Sequence, residues 1–175
     1  MRDACRPFRF GLLGESVRLA ADLVDTARRA EAAGYATFLL RDHFIEEPFG
    51  HQLAPLASLA TAAAVTKTLR VGSLVICNDY RHPAVVAKET ATLDLLSGGR
   101  FELGLGAGFS KAEYEAAGVP FDAPGVRVDC GSGFWGGQRP SLAHYVTGMG
   151  PMDGATAAGG RSCCLSSCMA VAVEG

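Results

Sequence analysis

Between Phe8 and Asp129 short apolar runs alternate with amphipathic stretches, and after Asp129 the alternation stops. Strands separated by helices of this length imply a parallel sheet with right-handed crossovers. Four such βα units in about 120 residues fit either half of a β/α barrel or a small doubly wound sheet. A complete eight-fold barrel needs about 250 residues, and the chain has 175.

The units are legible one by one. Phe8 to Leu13 is an apolar strand ending at Gly14. A helix follows over Arg18 to Ala33, with Leu19, Leu23, Ala27 and Ala30 on one face and Gly34 as its left-handed stop. Tyr35 to Leu40 is the second strand, followed by Arg41-Asp-His-Phe and a loop over Glu46 to Gln52. Ala54 to Thr66 is the second helix. Arg70 to Ile76 is a nearly unbroken apolar strand of the kind buried on both faces. The third helix opens at His82-Pro83, where the missing proline N–H costs nothing, and runs to Leu96. Phe101 to Leu105 is the fourth strand, Gly106-Ala-Gly108 its loop, and Lys111 to Ala117 a last short helix.

Residues 130–175 are different in kind. They hold 10 of the 22 glycines, 4 of the 6 cysteines and only four charged residues, Arg139, Asp153, Arg161 and Glu174. With few apolar side chains to offset ordering entropy, an irregular low-structure tail is expected. Its origin is either a flexible extension or a change of reading frame. The Gly, Ala, Arg, Ser and Cys bias favours the second, and the nucleotides around the Asp129 codon decide it. The expected division is thus 1–129 as the structured domain and 130–175 as the tail.

Charge and composition exclude several roles. The net charge of −2 gives no basic stripe for nucleic acid. Six charged residues between Arg2 and Arg18 leave no signal-peptide core, and no run of about 18 apolar residues can span a bilayer. A cytoplasmic protein with no nucleic-acid or membrane partner is expected. Cys163-Cys164 and Cys168 do not form paired Cys-x-x-Cys arms, so no metal site is expected, and Cys5 and Cys77 are isolated.

Three stretches carry a family resemblance. They are Gly34-Tyr-Ala-Thr-Phe-Leu-Leu-Arg-Asp-His-Phe, then Arg81-His-Pro through Ser97-Gly-Gly-Arg, then Phe101-Glu-Leu-Gly-Leu-Gly-Ala-Gly. Together they resemble the luciferase-like monooxygenase superfamily over Phe8 to Asp129, most closely the branch of oxidoreductases that use the deazaflavin F420. The resemblance implies the opening half of a β/α (TIM) barrel, about four βα units, that binds a flavin at the C-terminal ends of its strands. It implies F420 as cofactor, with FMN as the alternative, and a small-molecule substrate. The activity implied is hydride transfer or monooxygenation, and an inactive half-barrel is the rival. Two open sheet edges also make a homodimer a candidate.

Within that resemblance His43 is the candidate catalytic residue, donating a hydrogen bond or moving a proton beside the cofactor ring. The plainer reading is a histidine that orders the Glu46-Glu47-Pro48 loop. Asp42 orients His43 or caps the loop. Ser73 and Leu74 lie where relatives often carry a non-prolyl cis peptide under the ring; the alternative is an ordinary buried strand. Gly106, Ala107 and Gly108 let a backbone pass close to a flat ring, although a strand-to-helix turn needs glycine anyway. Phe109 stands where some F420 relatives carry an acid. Asp42, Ser73, Leu74, Gly106, Ala107 and Gly108 are therefore the cofactor-binding candidates.

Two further expectations concern the third helix. Val85, Val86, Leu93 and Leu96 read as its apolar face with Glu89 projecting through the centre. A carboxylate there needs a buried partner, with Arg41, Arg81 and His43 as candidates; otherwise Glu89 snorkels along the helix edge. Asp94, on the opposite face, is expected to pair with Arg100. His82 reads as a cap or packing residue.

Overall fold

In the computed structural model, residues 8–127, 144–146 and 169–173 are described. β1 (Arg9–Leu13), β2 (Thr37–Leu40), β3 (Arg70–Ser73), β4 (Ile76–Cys77) and β5 (Phe101–Gly106) alternate with α1 (Ala20–Ala32), α2 (Pro55–Val65) and α3 (Pro83–Leu96). The short α4 (Lys111–Ala117) follows. All strand pairs are parallel. β1 pairs with β2, β2 with β3 and β3 with β5, so neighbours in sequence are neighbours in the sheet. A doubly wound sheet would reverse direction at a switch point. From β1 to β5 the sequence order is unbroken, which is the winding of a barrel wall, and it decides between the two architectures that periodicity leaves open.

The third strand differs from the expected continuous run. It is interrupted at Leu74 and Val75, which are joined by a cis peptide, and resumes as β4. The cis bond thus lies one residue beyond the Ser73-Leu74 position expected. Both halves pair with β5, β3 at Val71 and Gly72 and β4 at Ile76 and Cys77.

Right-handed crossovers between in-order strands put the helices on one face of the sheet. The core lies between. Leu12, Phe38, Leu40, Val71, Phe101, Leu103 and Leu105 meet Leu23, Ala27 and Ala30 of α1, Leu59, Ala62 and Ala63 of α2, and Val86 and Leu93 of α3. The opposite face carries a polar layer: Glu102 accepts from Thr37 Oγ1 at 3.2 Å and pairs with Arg70 and with Arg9.

Helix ends follow local chemistry. Gly34, at φ +81°, takes the left-handed turn after α1 as expected. Pro83 opens α3, and His82 Nδ1 accepts from the Ala84 N–H at 3.2 Å, so His82 is a cap. The expected Asp94–Arg100 pair is replaced. Arg100 turns inward and donates to the carbonyls of Ala63, Thr66 and Leu69, satisfying oxygens at and beyond the end of α2 that no helical N–H reaches.

The buried stripe of α3 also differs. Val86, Thr90 and Leu93 are buried, whereas Val85 is 48% and Leu96 70% exposed. Glu89 is exposed and forms no ion pair with the expected partners among the described residues, although its charge still acts on half-buried Arg81. Each proposed cation takes another carboxylate: Arg41 pairs with Glu15, Arg81 with Asp42 and His43 with Glu113. The helix is apolar on more than one side, and the packed stripe lies rotated from the face expected.

Two strands fall in the segment expected to be irregular. β6 (His144–Val146) pairs with β5, and β7 (Met169–Val173) pairs with β1. The two edges expected to be open are therefore covered by the chain's own strands. The proposed change of reading frame lies outside the described residues.

Glu31 near the end of α1 ties that helix to the start of β3. One of its oxygens accepts from the backbone N–H of Lys67, Thr68 and Leu69 at 2.7, 2.6 and 3.0 Å. These bonds, Thr68 first, lower the Glu31 carboxyl to about 2 from its ordinary 4.5. A depressed carboxyl stabilises the fold above its unfolded value and loses that contribution as pH falls through the folded one. Glu31→Ala is expected to lower the melting temperature by about 3 °C at neutral pH. The gap between variant and parent should close as pH falls from about 5 to about 2 in a melting series.

Candidate functional site

β2 ends at Leu40, and the next residues point two ways. Asp42 turns toward β4: its Oδ2 accepts the Cys77 N–H at 2.9 Å, and its two oxygens take a bidentate pair from Arg81. Asp42 is buried, so the charge is tolerated only because both oxygens have donors. Burial works against the Arg81 charge, and the bonds and charge of Asp42, with smaller help from Glu89 and Cys77, outweigh it and hold the guanidinium protonated beyond its ordinary range. Asp42 takes neither expected role: its partners Cys77 and Arg81 belong to the end of β4 and the segment before α3, and among the described residues it makes no hydrogen bond to His43 or to the loop over Glu46 to Gln52.

His43 turns toward α4. Its Nδ1 lies 3.0 Å from both oxygens of Glu113. A carboxylate only accepts, so Nδ1 carries the hydrogen and donates. Glu113 is 3% exposed and also accepts the Phe44 N–H at 2.9 Å and the Tyr80 hydroxyl at 3.5 Å. The imidazole stacks on Phe49 at 4.4 Å, and Phe109 stands edge-on to it at 6.1 Å. Arg41 covers the Phe49 ring at 4.4 Å while pairing with Glu15. No described residue engages His43 Nε2. The imidazole is thus fixed in orientation and tautomer with its second nitrogen unengaged by the described residues, the arrangement that lets a histidine accept a proton or a hydrogen bond.

The loop after β5 is held from two sides. Tyr114 is fully buried, and its hydroxyl lies 2.7 Å from both Asp79 Oδ2 and the Ala107 carbonyl. Burial raises the Tyr114 and Tyr80 hydroxyls well above the ordinary phenol range, so both stay protonated and can donate. Burial likewise raises the Cys77 thiol, whose Sγ sits 3.4 Å from the Tyr114 hydroxyl. Arg127 donates to the carbonyls of Ala107 and Gly108 at 2.6 and 3.0 Å and lies over the Phe121 ring. Gly108 adopts φ +67°, and a Cβ there would lie 2.6 Å from the Tyr114 hydroxyl. Packing against Tyr114 is therefore sufficient reason for that glycine.

The expected cofactor-binding residues are distributed unevenly. Asp42, His43, Ala107 and Gly108 gather at the C-terminal ends of β2 and β5, and Gly106 pairs with Cys77 on β4. Ser73 lies deeper. Its hydroxyl donates to the Gly104 carbonyl and accepts the Gly104 N–H, both at 3.0 Å, so it fastens β3 to β5. Leu74 and Val75, at the cis bond, are only half buried, between buried Val71, Gly72 and Ser73 on one side and buried Ile76 and Cys77 on the other.

Glu113 and Arg127 are absent from the expected site. An acid in the first turn of a helix reads as a favourable helix-dipole residue, and Glu113 is 70 positions from His43 in the chain. One signal was available: α4 is short, and its sequence offers little to bury except Glu113 and Tyr114.

Comparison with known proteins places this geometry. The chain is 38% identical over 100 residues to the F420-dependent glucose-6-phosphate dehydrogenase of Amycolatopsis mediterranei, covering 55% of this chain and 30% of the relative. It is 33% identical over 96 residues to the 4-hydroxyprotoasukamycin monooxygenase of Streptomyces nodosus subsp. asukaensis, covering 55% of this chain and 26% of the relative. The structure of monooxygenase RslO1 from Streptomyces bottropensis superposes with a TM-score of 0.64 at 27% identity, over 72% of this chain and 41% of that one. The chain therefore spans about a third of the length of the curated relatives it matches. The model of the luciferase-like monooxygenases matches residues 6–129, the whole βα-patterned stretch with His43 and Glu113 inside it, and the chain belongs to that family.

Proposed function

We propose that residues 1–129 form the opening half of an F420-dependent oxidoreductase in which His43 is the proton-transfer residue and Glu113 positions it. The carrying observation is the His43–Glu113 pair at the C-terminal end of a parallel wall, with Nε2 available. Similarity to an F420-dependent dehydrogenase supports F420, and similarity to a monooxygenase keeps FMN as the alternative.

The residues present fit a flat heteroaromatic ring. The half-buried Leu74–Val75 peptide offers it backbone and apolar surface. His43, Ala107 and Gly108, with that peptide, are the residues that would hold it. A flavin or deazaflavin bound there supplies hydride chemistry that no protein side chain provides. The chain's own part is electrostatic. Glu113 accepts from Nδ1, leaves the lone pair on Nε2, and stabilises the imidazolium that forms when Nε2 takes a proton from a substrate hydroxyl. Asp42 with Arg81 keeps the β2 end rigid beneath it.

Titration of the 175-residue chain with F420 and with FMN, read by cofactor fluorescence, tests the reading; tighter binding of F420 is expected. With an alcohol substrate, His43→Asn should lower turnover by about 100-fold. Glu113→Gln should lower it by about 10-fold, displace the pH profile and leave cofactor affinity within about twofold. Failure of both cofactors to bind favours the inactive half-barrel, the reading supported by the one-third span of the relatives.

A homodimer is proposed for a different reason from open edges. α2 and α3 leave an apolar groove that includes Ala57, Ala60, Val85 and Leu96, flanked by Lys88 and Glu89. Adjacent opposite charges beside an apolar strip are self-complementary across a twofold axis. Light scattering after size exclusion should show a dimer, and Leu96→Asp, at an exposed position, should give a monomer with its melting temperature changed by less than about 3 °C.

A further inference from the structure

We propose that the corner between Phe109 and the stacked His43–Phe49 pair receives a neutral aromatic or alicyclic alcohol, and not an anionic sugar phosphate. As a substrate assignment this rests on the oxidoreductase reading above.

The corner is built from three rings. His43 and Phe49 stack at 4.4 Å and 21°, while Phe109 stands at 81° to both, 6.1 and 6.3 Å away. Phe109 nevertheless remains 53% exposed, so much of its apolar surface is in solvent. The Arg41 guanidinium over Phe49 and the Glu113 carboxylate on His43 fix two of the rings. Two flat surfaces meeting at a right angle, already ordered, favour another flat or chair-like ring at small entropic cost.

Among the described residues, charge at this end argues the same way. Arg41 is paired with Glu15 at 2.9 Å, and Arg81 is paired through both nitrogens with buried Asp42. Arg127 is spent on the Ala107 and Gly108 carbonyls, and Lys111 pairs with Glu115 one turn along α4. A phosphate at Arg41 or Arg81 would have to take the arginine from Glu15 or Asp42, leaving a largely buried carboxylate uncompensated. The polar contact offered is His43 Nε2. With the hydrogen on Nδ1, Nε2 accepts, so it recognises a hydroxyl rather than a carbonyl.

The test uses the 175-residue chain and para-fluorobenzyl alcohol, followed by fluorine NMR line broadening, alone and with F420 or FMN present. The expected result is binding, weakened at least about fivefold by Phe109→Ser, retained by Phe109→Tyr, and undisturbed by glucose 6-phosphate or by either cofactor. Far-ultraviolet circular dichroism confirms that both variants fold, as half-exposed Phe109 allows. Equal binding by Phe109→Ser, no binding by the parent chain, or displacement by glucose 6-phosphate overturns the proposal. Displacement by a cofactor also overturns it, because the corner then belongs to the cofactor ring. If the alcohol binds through Phe109 and neither cofactor binds, the corner stands and the oxidoreductase reading falls. If a cofactor binds and the alcohol does not, only the corner falls.

Discussion

Two consecutive side chains at the end of β2 organise the top of the sheet, Asp42 by an ion pair with Arg81 and His43 by a hydrogen bond to the Glu113 carboxylate. Successive residues of extended chain face opposite ways. Asp42 reaches β4 and Arg81, and His43 reaches α4 and Glu113. Both carboxylates are buried, and burial of an unpaired charge costs several kcal/mol. Neither can leave its partner cheaply. The end of β2 is thereby tied to the next strand on one side and, across 70 residues of chain, to the helix after β5 on the other. The imidazole inherits its orientation from this double anchoring rather than from its own loop.

The glycines around it serve packing first. A Cβ at Gly104 would meet the Ser73 carbonyl at 2.4 Å, and one at Gly72 would meet the Glu102 carbonyl at 2.8 Å. These residues let β3 and β5 approach where the third strand is interrupted, and the Ser73 hydroxyl supplies two hydrogen bonds there. At Gly108 the neighbour is Tyr114, whose hydroxyl touches the loop carbonyl that Arg127 also holds. The sequence reading weighed close approach to a ring against the needs of a turn at Gly106–Gly108. The geometry shows internal packing that accounts for Gly108, while a role toward a cofactor remains the proposal made above.

What could be read from the sequence follows from the range of each interaction. Helix limits set by local chemistry came within two residues: Pro83 and His82 opened α3, Gly34 closed after α1, and α4 spans Lys111–Ala117 as expected. Residues 8–127 as consecutive βα units were legible for the same reason, since 3.6-residue and two-residue periods are local signals. The Glu89 expectation failed because α3 is apolar on more than one side, so periodicity did not say which side packs. Val86, Thr90 and Leu93 pack, and a threonine whose hydroxyl donates to the Val86 carbonyl fills the place assigned to Glu89. Glu113 and Arg127 escaped notice because their partners are set by the fold: no spacing rule links Glu113 to His43. The two strands in the tail were missed because five residues of Met169–Val173 in a Gly-rich setting carry too short a pattern to stand out.

The two faces of the wall divide the energetic work. Toward the helices β1 to β5 present apolar side chains, and burial there supplies the main driving force for folding. On the other face Glu102 is almost enclosed, and its oxygens are shared by Arg70, Arg9 and Thr37 near the N-terminal ends of the strands. Removing Glu102 would leave two arginines side by side on a parallel ladder, so the layer is held as a unit. At the C-terminal ends, by contrast, the pairs are between individual loops, Asp42 with Arg81 and Glu113 with His43, and exposed rings stand among them. A shared ion layer at one end fixes the spacing of the strands. Separate pairs at the other end each fix one loop, so loops there can change without disturbing the wall. Placing His43 at that second end costs the fold little, because the carboxylate that orients it comes from a helix the sheet does not need for closure.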